Sequence, residues 1–171
     1  MTTAIATLKT PVLTTSSPAA QFALGGTEGV AAEYNFVAEN GEITINELKF
    51  VVANPKTVKS ITVAGKTADV IGNTATLTNV NYTIPAGYAG KTLQATVKYN
   101  TVGLGGIESN LSSQVTLNSV KYTAGNTTKT ITPNVAAKAM KVVAGHPEVT
   151  ITKSTDTLVN GEVKLADVKV L

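Results

Sequence analysis

Apolar and polar residues alternate with a period of two along most of this chain. That period puts successive side chains on opposite faces of a strand. The clearest stretch is AEYNFVAENGEITINELKFVV, where Tyr34, Phe36 and Ala38 alternate with polar neighbours. Asn40-Gly41 has the residue types that take positive φ, and predicts a tight hairpin turn. On the return, Ile43 and Ile45 share one face, but the next apolar set is Leu48, Phe50 and Val52. One extra residue must be accommodated, which predicts a β-bulge or a sheet switch at Asn46-Glu47. Asn54-Pro55 then ends the strand.

The pattern continues. SITVAGKTADVIG reads as a short hairpin around Gly65. TATLTNVNYTI changes phase again, with Ala75 and Leu77 in one set and Val80, Tyr82 and Ile84 in the other. PAGYAG is a turn, and KTLQATVKYN alternates without fault, sending Leu93, Ala95, Val97 and Tyr99 inward. LSSQVTLNSVKY and TKTITP extend the series beyond the glycine-rich VGLGG.

One segment, PNVAAKAMKVVAG, has Pro before it, Gly behind it and Ala and Lys between, so a helix is open there. Its neighbours are all strands, and the favoured reading is extended, with Ala139 and Met140 leading into Val142 and Val143. About seven to nine short strands with frequent turn signals describe an antiparallel β-sandwich. Its expected core contains Tyr34, Phe36, Phe50, Leu77, Ile84, Leu93, Val97 and Val115.

Composition agrees. Thr and Val dominate, and residues branched at Cβ lose less freedom on a pleated surface than in a helix. Charged residues make up only 15%, so exposed surfaces must be built largely from Thr, Asn and Ser. The net charge of +3 comes from lysines spread along the chain, with no Arg and no Trp. Nucleic-acid binding needs a basic cluster or an aromatic platform, and neither is present. Lys56, Lys59 and Lys66 form a loose group that reads as a solvated strand face. There is no cysteine, which removes disulfides and thiolate metal sites. No stretch reaches the roughly 20 apolar residues of a spanning helix. MTTAIATLKT lacks the basic start and apolar core of a signal peptide, and the chain is expected to be a fragment or mature form.

With these segments in place, the chain resembles the immunoglobulin-like repeat domains of bacterial extracellular surface proteins. The likeness rests on ENGEITINELKF, KSITVAG, TLTNVNYTIPAG, KTLQATVKYN and AKAMKVVAGHPEVTITKS, in that order. It covers nearly the whole chain through pattern and turn placement. Domains of that family close on an AM-x-V strand, here Ala139-Met140-Lys141-Val142, and a short linker with Pro opens the next copy, here Ala144-Gly145-His146-Pro147. The resemblance implies an immunoglobulin-like all-β sandwich over residues 1–145. Residues 146–171 would be a linker and the opening strands of a second repeat, or a two-strand extension for strand exchange. It further implies a structural or adhesive module outside the cell or on its surface.

The end of the chain echoes its beginning. Ala166 to Leu171 matches Ala32 to Val37 class by class: small, acidic, apolar, polar, apolar, apolar. In the tail, Val149 and Ile151 alternate with Thr, Val163 and Leu165 flank Lys164, and Val168 and Val170 follow one phase later, which predicts a bulge at Ala166-Asp167. A lone pair of strands cannot bury its apolar face. The tail therefore packs on its own sandwich, continues into a further repeat, or completes the head of another molecule in a head-to-tail series. Residues expected to carry such self-association are Ile5, Leu8, Val149, Ile151, Val163, Leu165, Val168 and Val170.

Chemical machinery is sparse. His146, the sole histidine, sits in the expected linker with no Cys and no second His, and reads as an incidental surface residue. Glu39, Glu42 and Glu47 flank one turn and read as solvated rather than as a glycosidase pair. Gly103 to Gly106 (GLGG) precedes a strand rather than a helix, so it is a flexible loop and not a phosphate cradle. Three scattered Asp residues make no calcium loop. Sequons occur at Asn81, Asn110 and Asn126, and Lys and Asn could supply a spontaneous crosslink. No cofactor and no catalysis are expected. The alternative function is a glycan- or protein-binding adhesin module. A sugar platform would rest on Tyr88, the tyrosine expected to be exposed, because Tyr34, Tyr82 and Tyr99 are in phase with the core.

Overall fold

The computed structural model describes residues 4–145, and the backbone of Val149–Lys153 and Ala166–Val170. Two antiparallel sheets pack face to face as a β-sandwich, with no α-helix among the described residues. The front sheet runs in the order β2 (Val12–Leu13), β4 (Glu28–Phe36), β11 (Lys91–Tyr99), β7 (Val58–Val63), β8 (Lys66–Asp69). The back sheet is centred on β6 (Ile43–Val52) and β13 (Val115–Ala124). On the outer edge of β6 lie β9 (Thr74–Leu77) and β10 (Tyr82–Ile84). On the outer edge of β13 lie β14 (Thr127–Ile131) and β15 (Val135–Ala136).

Three smaller pairings finish the body. β1 (Thr7–Leu8) pairs with β5 (Ala38–Glu39). β12 (Leu111–Ser113) pairs with β16 (Met140–Val143), and β3 (Phe22–Leu24) joins β16 in parallel. The segment PNVAAKAMKVVAG is extended, as its neighbours imply, and Ala137, Met140 and Val142 are buried. In the tail, β17 (Val149–Lys153) and β18 (Ala166–Val170) pair antiparallel as a separate two-stranded sheet. Their register is regular, with Thr152 opposite Asp167 and Lys153 opposite Ala166, so the bulge expected at Ala166-Asp167 is absent.

All eight expected core residues are buried. Tyr34 crosses between the sheets: its ring tilts at 48° to that of Phe50 with centroids 6.2 Å apart. Its hydroxyl donates to the Val135 carbonyl of the back sheet at 3.2 Å, so the one polar atom on this buried ring is satisfied. Burial pushes the Tyr34 phenol far above its ordinary pKa.

Two sequence expectations are corrected. Asn40 and Gly41 do take positive φ (62° and 147°), but they are not a hairpin turn. The strands before and after them lie in different sheets, because β2 and β11 occupy both edges of β4, and β13 and β9/β10 occupy both edges of β6. The turn is an arch across the sandwich, and a side chain at Gly41 would stand 3.0 Å from the Ala6 Cβ. The short hairpin expected around Gly65 is real and closes on a two-residue turn, with Val63 opposite Lys66 and positive φ at Ala64 and Gly65. The strand count is also higher than expected: sixteen strands precede Gly145, several of them pairings of only two or three residues, and two edge strands are broken in the middle.

Those interruptions follow a rule. The β6–β13 ladder skips Asn46 on one strand and Asn118 on the other. β6 reads ITINELKFVV and β13 reads VTLNSVKYTA, the same pattern with Thr, Asn and Lys in the same places. The pairing is self-symmetric. Val51 faces Thr116 as Thr123 faces Thr44, Phe50 faces Leu117 as Tyr122 faces Ile45, and Leu48 faces Val120 at the centre. Each edge breaks beside the bulge it flanks. β9 gives way to β10 around Asn79 and Asn81, with the Val80 N–H donating to the Asn46 carbonyl at 3.0 Å. β14 gives way to β15 at Asn134, whose side-chain carbonyl accepts from Asn118 Nδ2 at 2.7 Å. A bulge bends its strand, and a straight edge strand could not follow it.

Candidate functional site

The described chain begins at one end of the sandwich and leaves it at the other. Ala4–Leu8 lies beside Asn40 and Gly41, since Leu8 opposes Ala38 and Gly41 approaches Ala6. We call this the upper pole. β16 runs away from it and ends where the Gly25 N–H donates to the Val143 carbonyl at 2.9 Å, next to Val102. This is the lower pole. β4 runs between the two, and its nine residues span about 30 Å.

The large apolar side chains that stand exposed among the described residues are Ile5, Val12, Phe22, Ile71, Tyr88 and Leu104. The upper pole carries Ile5 and Tyr88, the latter 93% exposed as its turn position predicts. Tyr88 walls an open cleft of about 290 Å³ floored by Ala38, Ala86 and Gly87 and rimmed by Glu39 and Asn40. The cleft is held in shape by the Gly87 N–H, which donates to the Ala38 carbonyl at 3.2 Å. At the lower pole stand Ile71 and Leu104.

Leu104 is fully exposed at the tip of the GLGG turn. That turn is closed by three backbone hydrogen bonds. The Gly103 N–H donates to Ile107 (3.0 Å), Gly106 to Gly103 (2.9 Å) and Ile107 to Thr101 (2.8 Å). Gly103 and Gly105 take positive φ, and any side chain at Gly106 would collide with the Thr101 carbonyl. The glycines thus permit a hydrogen-bonded projection carrying one leucine.

The sequence-nominated residues fall as follows. Leu8 is buried in the sandwich's own core, while Ile5 is exposed. Val149 and Ile151 lie on β17 opposite Val170 and Val168 of β18. Val163, Leu165 and His146 lie outside the described residues. Glu39 pairs with Lys9 at 3.0 Å, Glu47 with Lys121 at 3.7 Å, and Glu42 is exposed, so the three carboxylates form no common centre. Among the described residues no group of three or more His, Asp or Glu is placed to hold a metal. No described lysine is buried, so none sits in the dry environment a spontaneous Lys–Asn crosslink requires. The sequon residues Asn81, Asn110 and Asn126 are all exposed. No helix among the described residues is long and apolar enough to cross a membrane.

Sequence reasoning missed Leu104 and Ile71. The signal was present in GLGG, since an isolated leucine among glycines has no strand face to turn inward. Compared with known proteins, the chain matches no family model, no curated protein and no solved structure.

Proposed function

We propose that this chain is a non-enzymatic structural module of an extracellular or cell-surface assembly, a stalk, layer or filament of repeated immunoglobulin-like sandwiches. The observation that carries the reading is the pairing of the tail. Ile151 stands opposite Val168 as Leu13 stands opposite Tyr34, in antiparallel register. Val168 is the residue that the terminal echo aligns with Tyr34. β17 and β18 thus repeat the pairing of β2 and β4, the first step of the front sheet. Two strands alone are marginal in water, so they call for the rest of a sandwich, from a following repeat or from a neighbouring chain. Chain ends at opposite poles suit a linear series, because each added module extends the row rather than closing it.

Negative-stain electron microscopy of the purified chain at high concentration tests the reading. Rows or sheets one sandwich wide are expected. Dispersed globules that instead bind an immobilised glycan array would overturn it in favour of an adhesin module.

A further inference from the structure

The first strands of the described chain are fastened to the sandwich as a strap. β1 pairs with β5 over two residues and β2 with β4 over two. The Lys9 N–H donates to the Val37 carbonyl at 2.9 Å and the Thr14 N–H to the Glu33 carbonyl at 3.0 Å. Leu8 and Pro11 are buried, and Leu13 packs half-buried against the core. Two carboxylates of the body hold the strap: Glu39 pairs with Lys9 at 3.0 Å, and Glu33 accepts from Thr14 Oγ1 at 2.6 Å. The central pairings of both sheets, β4 with β11 and β6 with β13, do not use it. Residues 14–20, which follow, form no strand, and Thr15, Ser16, Ala19 and Ala20 are exposed. Fully extended, those seven residues reach about 25 Å.

We propose that residues 4–13 form a detachable strap, released from β4 and β5 while the sandwich stays folded, and that the strap of a second copy takes the vacated place in a reciprocal exchange. A segment with few buried side chains and exposed hydrogen bonds opens at lower free energy than the core. Opening bares the backbone edge at residues 33–37 and the seats of Leu8 and Pro11. The occupant is the same segment of another copy, because register, apolar seats and both carboxylates already match it as it sits in its own chain. Each copy gives one strap and receives one, so the pair is closed and two-fold. Nothing in this exchange involves residues after Gly145.

Glu33 is the latch. Thr14 and Ser17 face it from the strap side and Gln94 from β11, all uncharged. The lysines of β11, Lys91 and Lys98, stand opposite Phe36 and Glu28 rather than Glu33. A charged acceptor bonds more strongly than a neutral one, so protonating this carboxylate loosens the strap. Its lowered pKa keeps the latch closed at neutral pH and opens it only on acidification.

The chain has no cysteine, so introduced thiols report position cleanly. Val12 and Asn35 are register partners, at a separation that a disulfide bridges. Val12→Cys and Asn35→Cys chains are mixed, incubated at neutral pH or at about pH 3, returned to neutral pH and oxidised. Peptide mass mapping should find position 12 of one variant joined to position 35 of the other, in about ten-fold greater yield after the acid step. In a Glu33→Gln background the acid step should make little difference, since the exposed Lys9–Glu39 pair contributes little. Absence of the 12–35 link, or an equal amount of links between two Val12→Cys chains, overturns the exchange. An undiminished acid effect in Glu33→Gln overturns the latch. In wild type, the Lys9 and Thr14 amides should exchange with deuterium together, and faster than those of β6 and β13. Protection equal to the sheet centre would show that the strap leaves only when the whole sandwich unfolds, which overturns the proposal without any variant.

Discussion

Leu48 and Val120 stand directly opposite each other at the centre of the back sheet, both fully buried, and the ladder reads the same outward from them in either direction. They are the sixth residues of two ten-residue strands with one pattern, ITINELKFVV and VTLNSVKYTA. The sheet therefore has a local two-fold through this pair. The Asn bulges at 46 and 118 and the paired breaks in both edges are one device used twice.

Shared position predicts shared energetics. Leu48→Ala should cost about 2–5 kcal/mol and Val120→Ala somewhat less, since each leaves a cavity in a dry layer. Their effects should not add, because each side chain fills part of the space beside the other. A double-mutant cycle by urea denaturation should give a coupling of at least about 0.5 kcal/mol. Strict additivity would mean the two side chains do not share a packing site.

The buried tyrosines predict an alkaline limit. Burial pushes the Tyr99 phenol up to about 12 and Tyr34 higher still, against about 10 in an unfolded chain. A folded pKa raised above the unfolded one contributes stability that is complete below about pH 10 and drains away as pH climbs toward 12. Denaturant midpoints measured between about pH 9 and 12 should fall, and Tyr99→Phe should flatten that fall.

The opposite sign holds at Glu33. Its carboxylate accepts from Thr14 Oγ1 at 2.6 Å and from Gln94 Nε2 at 2.9 Å, and these bonds hold its pKa below the ordinary carboxylate range. A lowered folded pKa contributes above the unfolded value of about 4.3 and is lost as pH falls through the folded one. Amide exchange at Thr14, whose hydroxyl donates to this carboxylate, should speed up in that acid range. In Glu33→Gln that acceleration should be missing.

Ser113 is buried, and its hydroxyl has no hydrogen-bond partner. Replacing a buried, unsatisfied hydroxyl with hydrogen removes a desolvation penalty and very little volume. Ser113→Ala should leave thermal stability unchanged or raise it. A loss of more than about 1 kcal/mol would show that the hydroxyl has a partner after all.

Much of the local structure is legible because period-two alternation is a property of neighbours in sequence. Leu93, Ala95, Val97 and Tyr99 have to face one way once β11 is a strand, and all four are buried. The phase slip at Asn46 is likewise local, since an extra residue is visible wherever the apolar set changes parity. Positive φ at Asn40 and Gly41 follows from residue type. The partner across that turn does not, because Asn-Gly closes a hairpin and an inter-sheet arch with the same angles.

What the sequence by itself determined is therefore which residues form strands, which face of each strand is apolar, and where the phase breaks. The tertiary structure alone decided which sheet each strand joins, that β6 and β13 meet about Leu48 and Val120, and that Leu104 and the Tyr88 cleft lie at opposite poles. The physical reason is that an apolar face is satisfied equally well by either sheet of a sandwich. The choice is made by pairings between residues far apart in the chain, such as Tyr34 with Val135, whose energies appear only once both sheets are in place.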